Sequence, residues 1–180
     1  MKYVTIIFFV STLVTSFAFA ERADRDKPVH LESDRATVEN TGRANNKDRT
    51  SVFTGNVVLT QGTLIIRSDK MVVREDADGF QNAVAYGNLA SFRQKRDGMN
   101  EYIEGWSERM EYDSKADKVE LFKQARLRRG ADEVHGEYIS YEATTEFFQV
   151  NNGAKNKTSS DSRVRAVIQP KKKKKKKKQN

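Results

Sequence analysis

Apolar and polar residues alternate with a period of two along most of the chain, and this is the pattern of half-buried β-strands. The clearest runs are Val57-x-Leu59, Leu64-x-Ile66, Met71-x-Val73, Val119-x-Leu121, Ala125-x-Leu127 and Ile139-x-Tyr141. No segment has a convincing helical spacing of apolar residues. The pattern therefore predicts an all-β fold of many short antiparallel strands.

The positions of glycine and proline support the same interpretation. Gln61-Gly62, Asp78-Gly79 and Asp97-Gly98 lie between apolar runs and predict hairpin turns or bulges. The only prolines are Pro28 and Pro170, so the long segment between them has none. Such a segment suits strands whose N–H groups are used in a hydrogen-bonded ladder.

Four segments share a small residue, an acid and two alternating positions that are mostly apolar, which indicates an internal repeat. They are Ser33-Asp34-x-Ala36-x-Val38, Ser68-Asp69-x-Met71-x-Val73, Ser107-Glu108-x-Met110-x-Tyr112 and Gly136-Glu137-x-Ile139-x-Tyr141. A repeated strand pair whose apolar face points inward gives a jelly roll or a rolled β-solenoid. Each acid begins a strand, so we expect it to accept hydrogen bonds from turn backbone.

Alternate side chains build one inward apolar stripe. Its members are Val29, Leu31, Ala36, Val38, Val57, Leu59, Leu64, Ile66, Met71, Val73, Leu89, Phe92, Met110 and Tyr112. The stripe fits an ordinary sandwich core, and it also fits a groove that holds acyl chains. Periodicity alone does not separate these two interpretations.

The N-terminus has the pattern of an export signal. Lys2 precedes a mostly apolar stretch, and Ala18-Phe19-Ala20 has the small-x-small pattern of a signal peptidase site. The stretch is short and interrupted by Ser and Thr, which disfavours a membrane anchor. We therefore expect residues 1–20 to be a cleaved signal peptide, residues 21–27 an N-terminal lead, and the mature protein to reach the periplasm.

Residues 151–180 are polar and lack periodicity, which predicts a disordered tail that contains the lysine run from Lys171 to Lys178. The net charge of +8 comes from this run and Lys2, because the rest of the chain has 24 basic and 25 acidic residues. The run is compatible with a solvated tail or a tether to anionic glycolipid. Nucleic acid is a disfavoured partner, since no aromatic residues are interleaved with the lysines.

The chain has no cysteine and only two histidines, His30 and His135. The absence of cysteine excludes disulfides, thiolate metal sites and thiol nucleophiles. We expect no metal and no cofactor, and we expect His30 on the surface because it alternates outward between Val29 and Leu31.

Several blocks in order behind the export signal resemble the OstA-like family of periplasmic lipopolysaccharide transport proteins. The blocks are Asp26–Asp34, Phe53-Thr-Gly-Asn-Val-Val-Leu-Thr-Gln-Gly-Thr-Leu64, Ser68–Val73, Tyr86-Gly-Asn-Leu-Ala-Ser-Phe92, Glu104-Gly-x-Ser107-x-x-Met110-x-Tyr112 and Gly136-x-x-Ile139-x-Tyr141. This resemblance assigns residues 28–150 to one domain. The sequence departs from the family pattern in a longer first hairpin, at residues 43–48, and in the lysine tail.

The resemblance implies a twisted β-jelly roll, open at both ends, that binds the acyl chains of lipid A and is not an enzyme. The channel residues it implies are Val29, Leu31, Val57, Leu59, Ile66, Met71, Val73, Phe92, Met110 and Tyr112. Arg74 matches a basic position near the cavity mouth and is a candidate phosphate contact. The edges expected to pair in head-to-tail oligomers carry Pro28, Val29, Leu31, Ile139, Tyr141 and Phe147.

The resemblance also implies partners: lipopolysaccharide, further copies of the chain, an LptC-like inner-membrane export complex and an LptD-like outer-membrane assembly protein. The chain would then bridge the two membranes. Two alternatives stay open from the residues alone. One is a jelly-roll enzyme that modifies carbohydrate or lipid, which would need two convergent carboxylates or an activated nucleophile. The other is a structural periplasmic filament without lipid cargo.

Overall fold

The structure, a computed structural model, describes residues 24, 26–40, 48–152 and 163–170. The strands in these residues form one antiparallel sheet. Its ten strands are β1 (Val29–Glu32), β2 (Arg35–Asn40), β3 (Arg49–Gln61), β4 (Leu64–Asp76), β5 (Gly79–Lys95), β6 (Tyr102–Asp113), β7 (Lys118–Arg129), β8 (Asp132–Glu142), β9 (Phe147–Asn151) and β10 (Arg165–Val167). The described residues contain no helix, so the prediction of an all-β fold is confirmed. The hairpin turns fall at Gly62, Asp78-Gly79 and Asp97-Gly98, as the sequence predicted.

Strands β3 to β8 form a meander in which each strand pairs with the next. Two short strands complete each end of the sheet. At one end β1 pairs with residues 58–61 of β3, while β2 pairs with residues 49–54 of the same strand. At the other end β10 pairs with residues 133–135 of β8, while β9 pairs with residues 138–142.

Every long pairing in the meander has a register shift near its middle, and these shifts lie side by side; the β4–β5 pairing has a second shift, at Arg74/Glu75. The register shifts fall at Thr54/Val57, Arg67/Lys70, Tyr86/Ala90, Trp106/Arg109 and Phe122/Ala125. Bulges of this kind bend a strand and increase its twist. They form a line that divides the sheet into an upper arm, which contains residues 57–61 and β1 and β10, and a lower arm, which contains residues 49–54 and β2 and β9.

The repeated acids lie along this line and bind the neighbouring bulges. Asn56 Nδ2 donates to Asp34 at 2.9 Å, the Asn88 N–H donates to Asp69 at 3.2 Å, and Gln124 Nε2 donates to Glu108 at 2.7 Å. At the fourth repeat the Glu137 N–H donates to Asn152 Oδ1 at 3.3 Å. Asp34, Asp69 and Glu108 therefore accept hydrogen bonds at the bend of the sheet. The prediction that each acid begins a strand is wrong for three of the four, because Asp69, Glu108 and Glu137 lie within β4, β6 and β8. Only Asp69 accepts its hydrogen bond from backbone, as was expected of all four.

The two arms face each other across the apolar side of the sheet. Tyr112 in the lower arm donates a hydrogen bond to Gln61 Oε1 in the upper arm at 3.2 Å. The ring of Phe92 in the upper arm stacks on Tyr141 in the lower arm, with centroids 6.2 Å apart. The first contact joins β6 to β3 and the second joins β5 to β8, and neither pair of strands is adjacent in the sheet. The contacts therefore show that the sheet is folded over into a jelly roll.

Inward side chains continue from strand to strand in register. One lower-arm row passes from β2 to β9 through Ala36, Phe53, Met71, Ala85, Met110, Leu121, Ile139 and Val150. One upper-arm row passes from β1 to β10 through Leu31, Leu59, Ile66, Phe92, Gly105, Leu127, Val134 and Ala166. The apolar stripe predicted from the sequence is thus one continuous surface.

The structure corrects two parts of the sequence interpretation. The predicted disordered tail contains strand β10 and the end of β9, because Arg165–Val167 finds hydrogen-bond partners on the free edge of β8. Three members of the predicted stripe are exposed: Ala36 and Val38 lie on the edge strand β2, and Leu89 lies beside the bulge of β5.

Several sequence predictions lie outside the described residues. These are the signal peptide at 1–20, most of the lead at 21–27, most of the hairpin extension at 43–48, and the lysine run. Within the described part of the chain, no helix is both long and apolar enough to cross a membrane.

Candidate functional site

The ten residues predicted to line a channel come together in the interior. Eight of them are at most 3% exposed and belong to one apolar cluster: Val57, Leu59, Ile66, Met71, Val73, Phe92, Met110 and Tyr112. Val29 and Leu31 are partly buried and pack against the same cluster from β1. The structure therefore places all ten on one continuous apolar surface between the two arms.

The middle of this interior is closely packed in the present conformation. Phe92 is 2% exposed and lies against Gly105, where an added Cβ would be 2.3 Å from its ring. The same Cβ would be 2.9 Å from Leu121 of the lower arm. Burial also raises the pKa of Tyr141, which stacks on Phe92. An acyl chain can occupy this region only if the two arms move apart.

The interior opens at both ends of the sheet. At the β2 end, the inward positions of the edge strand carry Ala36 and Val38, and Val38 is 56% exposed. At the other end, an apolar cleft of about 460 Å³ lies between β10 and the inward side chains of β7, β8 and β9. Its apolar lining includes Leu127, Val134, Phe148, Val150, Val164, Ala166, Val167 and Ile168.

The cleft contains residues that sequence reasoning did not select. A signal for them exists, because Phe148-x-Val150 and Val164-x-Ala166-x-Ile168 both alternate. The second run was overlooked since it lies in a polar, lysine-rich tail. A cleft of this volume falls within the ~300–1,000 Å³ typical of small-molecule sites.

An ion pair joins the two arms beside the interior. Arg96, in the β5–β6 loop, donates from Nε to Glu146 Oε1 at 3.0 Å and from Nη2 to Oε2 at 2.6 Å. Glu146 lies in the β8–β9 turn, which belongs to the lower arm. The hydrogen bonds from Arg96 hold the pKa of Glu146 below its ordinary value. We call this contact the Arg96–Glu146 clamp.

Two further residues lie on the outside of the sheet. Arg74 alternates with the buried Val73 and is exposed, between Thr50 and Asn82 of the neighbouring strands. Its side chain therefore starts from the outer face, away from the apolar interior where a cavity-mouth contact was expected. His30 is exposed on β1, which agrees with its predicted place on the surface.

The predicted pairing residues divide into two groups. Val29 and Leu31 lie in β1, Pro28 directly precedes it, and Phe147 begins β9; within the described residues these strands pair on one side only. Ile139 and Tyr141 do not lie at an edge, because their strand β8 pairs with both β7 and β9. The edge on that side of the sheet is formed by β9 and β10.

The acidic side chains that the structure describes near the site have structural partners. Among the described residues, no group of three or more His, Asp or Glu side chains could hold a metal ion. The recurrent acids Asp34, Asp69 and Glu108 are spread along the bend and bind backbone or amide groups there. This surface offers apolar contacts and strand edges rather than a reacting group.

Comparison with solved structures supports the jelly-roll assignment. The fold matches the crystal structure of LptH, the LptA-homologous periplasmic component of the lipopolysaccharide transport device of Pseudomonas aeruginosa, with a TM-score of 0.72. The match covers 82% of this chain and 99% of that chain at 23% identity. The molecule is therefore an OstA-like jelly roll.

Sequence comparison identifies the family. Residues 30–147 match the family described as LptA/(LptD N-terminal domain) LPS transport protein, and the chain belongs to this family. The lipopolysaccharide export system protein LptA of Escherichia coli is 35% identical over 126 residues, which are 69% of this chain and 64% of that protein. LptA of Haemophilus influenzae is 28% identical over 169 residues, which are 91% of each chain.

The match to the Escherichia coli relative spans less than two thirds of that protein's length. The relatives carry the names of export proteins and not of enzymes. The names of the relatives therefore give no support to the enzymatic alternative raised from the sequence.

Proposed function

We propose that this chain is a non-catalytic carrier that binds lipopolysaccharide through the acyl chains of its lipid A and moves it through the periplasm. The observation that carries the proposal is the continuous inward apolar surface. It runs in register across all the strands and reaches solvent at Val38 on one end and at the β10 cleft on the other. The names of the relatives supply the cargo, and the geometry supplies a surface suited to it.

The proposal requires the arms to part around the cargo. Inserted acyl chains replace apolar contacts between the arms with apolar contacts to lipid, so little burial is lost. Each methylene removed from water contributes about 0.8 kcal/mol. The β10 cleft is the described region where a chain can enter with the least separation of the arms, since its lining is already partly open.

Site-specific photo-crosslinking tests this proposal. A photoreactive phenylalanine analogue is placed at Phe148 in the cleft, at Phe92 in the packed interior, and at the outward control position His30. We expect a saturable lipopolysaccharide adduct at Phe148 and Phe92 and none at His30. An adduct at Phe148 alone would confine the cargo to the cleft.

Equal labelling at all three positions, or none in a folded protein, would contradict an internal lipid site. The absence of any adduct would favour the second candidate function, a periplasmic filament without lipid cargo. The close packing around Phe92 favours this alternative, because a filament without cargo needs no space inside the sheet.

We also propose that copies of the chain associate head to tail. The outer edges of β1 and β2 at one end, and of β9 and β10 at the other, are open for addition of a further strand. The rows that end at Leu31 and Ala166 would then continue from copy to copy. A repeated contact of this kind does not close and produces a filament.

Phe147→Asp tests the association, because Phe147 is 61% exposed on β9 and its replacement should leave the fold intact. We expect the apparent mass by light scattering to rise with concentration for the parent chain and to stay monomeric for the variant. Tyr86→Asp is the matched control, since Tyr86 is 40% exposed on β5, in the middle of the sheet and away from both edges. Loss of association in both variants, or in neither, would contradict the edge model.

In this proposal the ends of the filament meet an LptC-like export complex at the inner membrane and an LptD-like assembly protein at the outer membrane. These partners would present their own strands to the same two edges. The periplasmic location is supported by the signal pattern at residues 1–20 and by the structural similarity to LptH, which is a periplasmic component.

A further inference from the structure

The outer surface of strands β3 to β5 carries a row of apolar side chains. Val52, Val72 and Val84 are successive cross-strand neighbours in the lower arm. They point away from the interior, because both residues that flank Val72 in the chain are buried, and all three valines are partly exposed. We call them the outer valine row. Valine is common in strands whichever way it points, so the row by itself does not indicate a partner.

Three basic residues of β4 lie on the same outer surface and flank this row. Arg67, Lys70 and Arg74 each adjoin a buried residue of β4 and are exposed. Opposite charges directly across a strand pair stabilise a sheet. The six cross-strand neighbours of these residues include no acid: they are Val58, Ser91, Thr54, Tyr86, Thr50 and Asn82.

The carboxylates of β4 have other partners. Asp69 accepts a hydrogen bond from a backbone N–H of β5 at 3.2 Å. Glu75 lies 3.6 Å from Arg49, and Asp76 lies 3.6 Å from Lys115. Because Glu75 and Asp76 each face a further basic residue, neither offsets the three basic residues of the outer surface. Asp69 offsets at most one of them, so this surface has an excess of positive charge.

The neighbouring strands arrange their charges differently, with opposite charges side by side. Glu104 of β6 lies opposite Arg93 and Arg128, within 3.8 Å of the first, and accepts a hydrogen bond from the second at 2.9 Å. Lys118 and Glu120 of β7 are 2.9 Å apart. Strand β4 lacks this arrangement, so its basic side chains are available to a partner outside the chain.

We propose that the outer valine row, together with Arg67, Lys70 and Arg74, forms a docking face for a membrane surface that contains anionic lipid. Basic side chains are attracted to anionic headgroups, and apolar side chains between them enter the boundary between headgroups and acyl chains. The long stems of arginine and lysine cover apolar surface while their charged ends reach the headgroups. Lipid headgroups adjust to the spacing of the basic groups, so such a face needs no shaped pocket.

The docking face goes beyond the proposed function and does not depend on it. It lies on the side of the sheet opposite to the apolar interior, and the strands that carry it are not the end strands. A docked copy therefore keeps its interior for cargo and its edges for association. The test below uses vesicles without lipopolysaccharide, so its failure would leave the carrier proposal unaffected.

Vesicle flotation measures the docking. The chain from residue 21 onward is used, with Lys171 to Lys178 replaced by glutamine so that the tail contributes no attraction. The vesicles contain phosphatidylcholine alone or mixed with phosphatidylglycerol. We expect the chain to float with the mixed vesicles only, and to bind less as salt is added. The triple variant Arg67→Gln/Lys70→Gln/Arg74→Gln should weaken binding about tenfold or more.

Two further variants separate charge from apolar contact. The matched control Arg93→Gln/Lys118→Gln/Lys123→Gln removes the same charge from residues that already have a carboxylate partner. It should weaken binding less than about threefold, because screening limits charges that do not touch the vesicle. Val72→Thr/Val84→Thr keeps the charge and the branched shape. It should weaken binding about threefold or more and leave the salt dependence unchanged.

A single introduced cysteine locates the contact, since the chain has no cysteine of its own. A polarity-sensitive dye on Val72→Cys should shift its emission to shorter wavelength on mixed vesicles, and the same dye on Lys123→Cys should not. The proposal is overturned if the chain binds neither kind of vesicle, which would favour an acidic protein surface as the partner. It is also overturned if both kinds bind equally, if the two triple variants lose binding equally, or if both dyes shift alike.

Discussion

The Arg96–Glu146 clamp gives a quantitative test of how the two arms are held together. Its two hydrogen bonds are 3.0 and 2.6 Å long, and the side chains are 11% and 29% exposed. Hydrogen bonds to charged groups contribute about 1.5–3 kcal/mol when shielded from water. We therefore expect Arg96→Gln and Glu146→Gln each to lower the free energy of unfolding by about 2 kcal/mol.

The double variant should cost about 2–3 kcal/mol rather than the sum of the two single losses, because both substitutions remove the same contact. Glu101→Gln is the control: Glu101 also bonds Arg96, at 2.6 Å, but is 54% exposed, so its loss should stay below about 1 kcal/mol. Urea unfolding followed by Trp106 fluorescence measures all four variants. Additive single losses would refute the clamp.

The clamp also predicts a pH dependence. Since the hydrogen bonds from Arg96 lower the pKa of Glu146 in the folded chain, the carboxylate's contribution is fully present above its unfolded pKa. It is lost as pH falls through the lower folded value. The stability difference between the parent chain and Glu146→Gln should be constant near neutral pH and shrink in acid, below about pH 4.5. A difference that grows in acid would contradict this sign.

Three further changes have defined outcomes. Gly105→Ala should lower the free energy of unfolding by about 1–3 kcal/mol in urea melts, because its Cβ would lie 2.3 Å from the Phe92 ring. Gly55→Ala should lower the free energy of unfolding more than Gly98→Ala does in the same assay. Both glycines have positive φ, but only the Cβ added at Gly55 would meet another residue, the Asp34 carboxylate at 2.3 Å. Truncation after Asn152 should increase binding of a dye specific for apolar surfaces, because it removes the strand β10 that covers the cleft. Unchanged dye binding would mean that β10 does not shield the apolar lining of the cleft.

Much of the fold could be predicted because local chemistry specifies it. Alternation placed Leu59, Ile66 and Leu121 correctly on the inner face, since a buried face of a strand must be apolar at every second residue. The repeat of small residue and acid recurs at the bend, but the sequence did not reveal the bend itself, because the acids were expected to begin strands. Gly55 and Asn56 both have positive φ at the bend.

The parts that could not be predicted depend on contacts between distant segments. Arg96 and Glu146 are separated by fifty residues, and neither lies in a motif. Strand β10 is only three residues long, lies in a polar tail, and pairs with the upper part of β8. Ile139 and Tyr141 were expected at an edge since they lie near the end of the predicted domain, but β9 and β10 follow them.

The combination of apolar faces and few polar contacts explains how a closed interior can act as a carrier. Among the contacts described, a hydrogen bond (Tyr112–Gln61) and the clamp join the arms through polar groups. The rest of the interior is mostly apolar, with a few buried polar side chains such as Ser51 and Gln94. Opening would expose that apolar surface to water, but about ten inserted methylenes would recover on the order of 8 kcal/mol. In the proposed carrier role, this gain from lipid would offset part of the cost of opening.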